Sequence, residues 1–317
     1  MPSDLLAAAV IRPDVSRDTS FELYGGAVRQ YAENVANRAV ALYQVGNVSF
    51  PGLSDIDLLL IPDGSRFDNA QYFSAYERLR ASYLKVFLHE PFVLPADMLD
   101  LIAHTSHSKR VLLTGRDILG DRSPTDRMDE RWCKLFESYC NYRLFVDNVA
   151  RHPATSGRLL VAVASSMRYA LSDLDTLAGT ASSAAYSSSV DDLRRRILTE
   201  NDSAPLLQAV WVVFLEAVRL IESTVCGMLS LESNGLVTFA RAFLAGNRAL
   251  PGVDADFIRE RRRSIDAYYA ALRRLRLPFG SLFYAAAYDN AALRYSQPFI
   301  VKLVCKSYYR IRQATSA

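Results

Sequence analysis

Val45-Gly46-Asn47-Val48-Ser49-Phe50-Pro51-Gly52-Leu53-Ser54-Asp55-Ile56-Asp57-Leu58-Leu59-Leu60-Ile61 is the stretch on which the fold turns. Its last four residues are an unbroken apolar run, which predicts a strand buried on both faces near the centre of a sheet. Asp55 and Asp57 stand at the mouth of that run. Side chains alternate faces along a strand, so residues i and i+2 project from the same side, about 6.6 Å apart at roughly 3.3 Å per residue. Two carboxylates sharing a face in low dielectric repel each other, and a divalent cation is the simplest relief. Mg²⁺ suits them best, because it is a hard ion that takes carboxylate oxygens, keeps several waters and usually arrives with phosphate.

Upstream lies Ala39-Val40-Ala41-Leu42-Tyr43-Gln44-Val45, which reads as a strand or the end of a helix. Gly46-Asn47 and Pro51-Gly52 then punctuate a tight loop before the acidic strand. Glycine lets the backbone approach a ligand with no Cβ in the way, and free N–H groups hold anionic oxygens, so the layout is that of a phosphate cradle.

Gly46-Asn47, then Gly52, then Ser54-Asp55-Ile56-Asp57-Leu58 resembles the motif of the nucleotidyltransferase superfamily with a polymerase-beta-like catalytic core. That motif is a glycine and a small polar residue, a short loop with another glycine, and Ser-Asp-hydrophobic-Asp-hydrophobic. The likeness spans residues 30 to 120 or so. It implies an α+β N-terminal nucleotidyltransferase domain with a mixed sheet. In such a domain Gly46, Asn47 and Ser54 would bind the nucleotide phosphates, Asp55 and Asp57 would hold Mg²⁺, and a third carboxylate on a neighbouring strand would complete the site. Two departures stand out. Asn47 occupies a place where the family usually has Ser or Gly, although its amide still donates to phosphate. The third strand falls on Pro91-Phe92-Val93-Leu94-Pro95, ahead of the segment Val111 to Leu119, and carries no acid; Glu90 just before it is the nearest candidate and Asp97 just after it the next.

With Glu90 as the third catalytic carboxylate, the implied activity is Mg²⁺-dependent transfer of a nucleoside monophosphate from an NTP, ATP in the first instance, to an acceptor hydroxyl with release of pyrophosphate. With neither Glu90 nor Asp97 at the metal, the alternative is a catalytically impaired nucleotide-binding or regulatory protein on the same scaffold.

The chain has 317 residues, 50% of them hydrophobic, which is enough for two domains with filled cores. A net charge of +3 announces no nucleic-acid binder or membrane-surface protein. Cys133, Cys140, Cys226 and Cys305 form no C-x-x-C pair, and the N-terminus lacks the pattern of a signal peptide, so a reducing cytoplasm is the expected location.

Beyond residue 125 short apolar runs give way to helical periodicity: Arg131–Ala150, Gly157–Ala178, Val190–Leu198, Pro205–Leu231, Leu236–Ala245, Ala255–Arg276 and Ser281–Tyr288. The expected organisation is a nucleotidyltransferase-like domain over 1–124 and an all-α helical-bundle domain over 125–317, with the boundary in the polar run Asp121 to Asp126. Gly179 to Ser189, rich in Ala and Ser, reads as a flexible helix–helix connection. Ala204 to Leu231 is apolar enough to suggest a membrane span, but Glu216, Arg219 and Glu222 along one side make it a buried bundle helix with a polar stripe, and no membrane partner is expected.

Arg259, Arg261, Arg262, Arg263, Arg273, Arg274 and Arg276 crowd one helix, and Lys302, Lys306, Arg310 and Arg312 follow with Tyr308 and Tyr309. A solvated face explains them better than a grip on phosphate, and nucleic acid is weakly supported as a partner. His104-x-x-His107 has ligand-compatible spacing, but flanking Ser106, Ser108, Lys109 and Arg110 suit an exposed loop. The helical part would form the far wall of the cleft and select the acceptor, a layout similar to the aminoglycoside nucleotidyltransferases. The expected partners are therefore a nucleotide and an acceptor that is a small molecule rather than a protein.

Overall fold

The computed structural model describes residues 10–54, 56–64, 110–120, 127–151, 154–232 and 235–274, with residues 75, 78, 79, 82, 83, 86, 87, 91–94 and 96. Asp55, Glu90, Asp97, His104, His107, the boundary run 121–126, the helix expected at 281–288 and the basic residues from Arg276 onward lie outside them.

The elements run β1 (Val10–Arg12), α1 (Phe21–Val35), β2 (Ala39–Val45), β3 (Asp57–Pro62), β4 (Phe92–Val93), β5 (Arg110–Gly115), α2 (Met128–Arg151), β6 (Ala154–Ser156), α3 (Gly157–Ala178), α4 (Ser182–Thr199), α5 (Ala204–Leu229), α6 (Leu236–Leu244) and α7 (Ala255–Arg274). Four strands form a mixed sheet in the order β4-β3-β2-β5. β2 is antiparallel to β3 and to β5, whereas β3 and β4 are parallel, pairing Leu59 with Phe92 and Leu60 with Val93. The architecture is thus α+β: a small mixed sheet first, then helices.

β3 occupies an interior place in the sheet because its side chains require one. Leu58, Leu59, Leu60 and Ile61 are all buried, on both faces, as a continuous apolar run demands. The segment 39–45, open between strand and helix end in the sequence, is strand β2, with Ala41, Leu42 and Tyr43 buried. α1 covers the sheet with the stripe Tyr24, Ala27, Tyr31 and Val35, spaced for one helical face, and Ser20 caps its start by accepting from the Leu23 N–H.

The helices build a second core around α5. Trp211 and Phe214 stack with centroids 5.9 Å apart, and Phe145 and Tyr142 meet Phe214 edge-on. α5 is long and apolar enough to cross a membrane by length and composition, and here half of its most apolar window is buried inside the protein. On its polar stripe Glu222 accepts from the Tyr139 hydroxyl at 2.6 Å and faces Arg143 at 3.6 Å.

Two findings revise the simple order of parts. β1 pairs in parallel with β6, and the Asp14 carboxylate accepts from the Ser156 hydroxyl and the Arg158 N–H, so residues 10–14 join the helical side of the molecule. The run Gly179–Ser189, expected as a flexible connection, is mostly helix, since α4 begins at Ser182. The cause is Asp175: its carboxylate accepts from the N–H groups of Ser182 and Ser183 and from the hydroxyls of Ser182 and Thr180. It satisfies the open donors of α4 and places a negative charge at the helix's positive end.

Candidate functional site

The site is built at the end of the sheet where β2 stops and β3 starts. Val45, the last residue of β2, pairs with Asp57 on one side and with Arg110 on the other. Residues directly opposite in antiparallel strands share a face, so Asp57, Val45 and Arg110 form a row across β3, β2 and β5, with an acid at one end and a base at the other. Asp57 is half-buried and is the first residue of β3.

Gly46 turns the chain away from that row with φ +76°. A Cβ placed on it would lie 3.9 Å from Oδ2 of Asp57, an ordinary contact, so the turn passes directly beside the carboxylate and it is the positive φ that favours glycine there. Asn47 follows in an exposed loop, its amide donating to the Ser49 hydroxyl at 3.5 Å. A carboxylate at a sheet terminus beside a glycine turn is a donor of the kind a hard cation takes. Among the described residues no group of three or more His, Cys, Asp or Glu gathers around one point.

Gly52 has a different task. Its φ is +93°, and a Cβ there would run into the carbonyl oxygen of Ser16. The glycine is required by the close approach of two backbone segments of the protein itself.

Ser54 is buried, and its polar atoms point into the protein. Its hydroxyl accepts from the Phe50 N–H at 3.1 Å and from Nη2 of Arg194 at 3.0 Å. Its carbonyl accepts from the Tyr24 hydroxyl at 2.5 Å and from Nη2 of Arg158 at 2.8 Å. Tyr24 also receives the Gly52 N–H at 3.1 Å, and the Arg194 guanidinium lies 4.2 Å above the Phe50 ring. Residues 50–54 therefore form a closed turn clasped from α1, α3 and α4, immediately before the acidic motif.

On the far side of β2, the Tyr43 hydroxyl donates to Asp117 at 2.8 Å and receives the N–H groups of Ile118 and Leu119. That bond from Tyr43, with the Gly120 N–H, holds the Asp117 carboxyl below its ordinary range, and burial raises the Tyr43 phenol. This acid is thus engaged in shaping the turn after β5.

Arg158 and Arg194 are absent from a reading of local spacing, because Ser54, which both hold, is more than a hundred positions away from each. One signal was available for Arg158. A cation in the first turn of a helix opposes the helix dipole, so a second demand must keep it there. In the Arg-rich helix α7 the expected solvated face is only partly found. Arg259 pairs with Asp256 at the surface, but Arg261 is buried in a two-pronged pair with Glu137, and Arg262 donates to the Ala245 carbonyl. The thiols of Cys133 and Cys140 are pushed up to about 12 by burial, which makes them packing groups and not nucleophiles.

No family model, curated protein or solved structure matches the chain, and the reading of the site rests on its residues and their geometry.

Proposed function

We propose that the chain is a Mg²⁺-dependent nucleotidyltransferase that moves a nucleoside monophosphate from an NTP, ATP in the first instance, to an acceptor hydroxyl and releases pyrophosphate. The observation that carries this reading is the juxtaposition of Gly46 and Asp57 at the open end of an otherwise buried strand. A glycine turn beside a strand-end carboxylate is what a magnesium-bound triphosphate needs: room for phosphate and an anchor for its ion. Asp57, with Asp55 two residues before it, would hold the metal, which when bound supplies neutralisation of phosphate charge.

Other residues support the reading by position. Gly46 leaves space for the phosphates, and the exposed Asn47 amide is a donor beside that space. Arg110 stands on the same face and in the same row as Asp57, where a guanidinium suits a phosphate oxygen. Glu90, the nearest acid in the chain before β4, the strand that pairs in parallel with β3, is the candidate for the third carboxylate ahead of Asp97.

The decisive experiment is Asp57→Asn. Loss of Mg²⁺-dependent pyrophosphate release with an unchanged far-UV circular dichroism spectrum is expected; unchanged turnover would remove the metal role.

A second reading, a nucleotide-binding or regulatory protein with impaired catalysis, is favoured by one observation: the Ser54 hydroxyl is already engaged by Phe50 and Arg194. It predicts heat on titration with ATP and Mg²⁺ but no pyrophosphate in a parallel product assay.

A further inference from the structure

Arg158 is the second residue of α3 and is 6% exposed. A guanidinium is always charged, and burying one away from water is costly unless the charge is answered. Here the answer comes from backbone dipoles. One nitrogen, Nη2, donates to the Ser54 carbonyl at 2.8 Å and to the Val86 carbonyl at 3.1 Å, while Nε has no hydrogen-bond partner. Among the described residues no carboxylate forms an ion pair with this guanidinium. The Asp14 carboxylate nearby serves the Arg158 backbone N–H instead.

The two carbonyls are not equivalent pieces of loop. Ser54 is joined by its peptide bond to Asp55 and leads into the acidic start of β3; Val86 precedes Glu90 and leads toward β4. Arg158 thus bridges the approaches to the two neighbouring parallel strands on which the proposed site depends. It does so from a helix of the other core and against the dipole of that helix. A stabilising contact alone would be better made by a neutral donor, which would bear a far smaller desolvation cost than a guanidinium.

We propose that Arg158 is a positioning residue: by holding the Ser54 and Val86 carbonyls on one nitrogen it sets the spacing between the acidic strand and its parallel neighbour. The inference rests on the nucleotidyltransferase reading above. It makes the helical part a working component of the site, because displacement of α3 would move the turn that leads into the acidic strand.

The test uses the full chain, with Arg158→Gln removing the charge and Arg158→Lys retaining it. Each protein is titrated calorimetrically with Mn²⁺ alone, and pyrophosphate release is followed against Mg²⁺ and ATP concentration. For Arg158→Gln we expect Mn²⁺ affinity to weaken by about tenfold and kcat to fall by roughly 10- to 100-fold, as a displacement of the order of 1 Å would cause, with KM for ATP nearly unmoved. Arg158→Lys should recover most of both. Tyr24→Phe, which loosens the same carbonyl more gently, should shift Mn²⁺ affinity in the same direction and keeps the test open if Arg158→Gln does not fold. A lowered unfolding midpoint with Mn²⁺ affinity unchanged in the folded variants would overturn the positioning role alone. A wild-type chain that neither binds Mn²⁺ nor releases pyrophosphate would overturn the nucleotidyltransferase reading, and this inference with it.

Discussion

Leu53 and Ile56, three residues apart, are buried in different hydrophobic cores: Leu53 in the helical one with Phe136 and Trp211, Ile56 in the sheet one with Leu42 and Leu58. The acidic motif therefore sits where the chain crosses from one core to the other. Its geometry depends on both.

That crossing predicts the behaviour of Leu53→Ala. The side chain is 1% exposed, and truncating a buried leucine costs about 2–5 kcal/mol through lost transfer energy and the cavity left behind. Urea unfolding should show a midpoint lowered accordingly. Any pyrophosphate-releasing activity should fall further than the loss of folded protein explains, because the turn that leads into the acidic strand loses its anchor. Activity that tracks the folded fraction alone would separate the turn from the site.

Arg261 and Glu137 tie α7 to α2. Both are nearly fully buried and meet through two nitrogen–oxygen pairs, one of them at 3.2 Å. Removing one member strips a buried charge of its two-pronged partner, so Arg261→Met is expected to cost about 3–5 kcal/mol in chemical denaturation. Replacing both, as Glu137→Leu with Arg261→Met, should restore most of that loss, since an apolar pair needs no solvation. A double variant as unstable as the single one would show that the pair contributes more than mutual charge compensation.

Asp175 predicts an acid-sensitive junction. Burial by itself would raise its carboxyl, but hydrogen bonds from Ser183, Thr180 and the N–H groups of Ser182 and Ser183 outweigh it and hold the acid well below the usual carboxylate range. A depressed folded value means that the stabilisation is present above the unfolded pKa of about 3.9 and is lost as pH falls below it. At pH 7 the wild-type chain should thus be more stable than Asp175→Asn, and the difference should shrink progressively in acid. Urea midpoints of the two proteins at several pH values give the comparison, and a constant gap across pH would contradict the assignment.

Local pattern was sufficient wherever one segment's own side chains dictate its state. Leu58 to Ile61 could only be a strand covered on both sides, and it lies in the interior of the sheet. Gly157 to Ala178 shows the same helical limits in periodicity and in structure, with Ser156 capping one end and Gly179, at φ +68°, closing the other. The turn at Gly46 and the strand-end acid Asp57 were legible for the same reason: glycine and carboxylate have few reasons to adjoin an apolar run.

The sequence by itself determined which residues must be buried and where the chain must turn, because periodicity records the face that avoids water. Only the tertiary structure decided which face meets which. It paired β1 with β6, gave α4 its start through Asp175, turned Ser54 inward and set Arg158 against two carbonyls that lead to different strands. The Asp175 junction and the Phe50–Ser54 bond are local, but the β1–β6 pairing and the two Arg158 contacts join groups at least 72 positions apart, whose donors and acceptors meet only once the tertiary fold has closed.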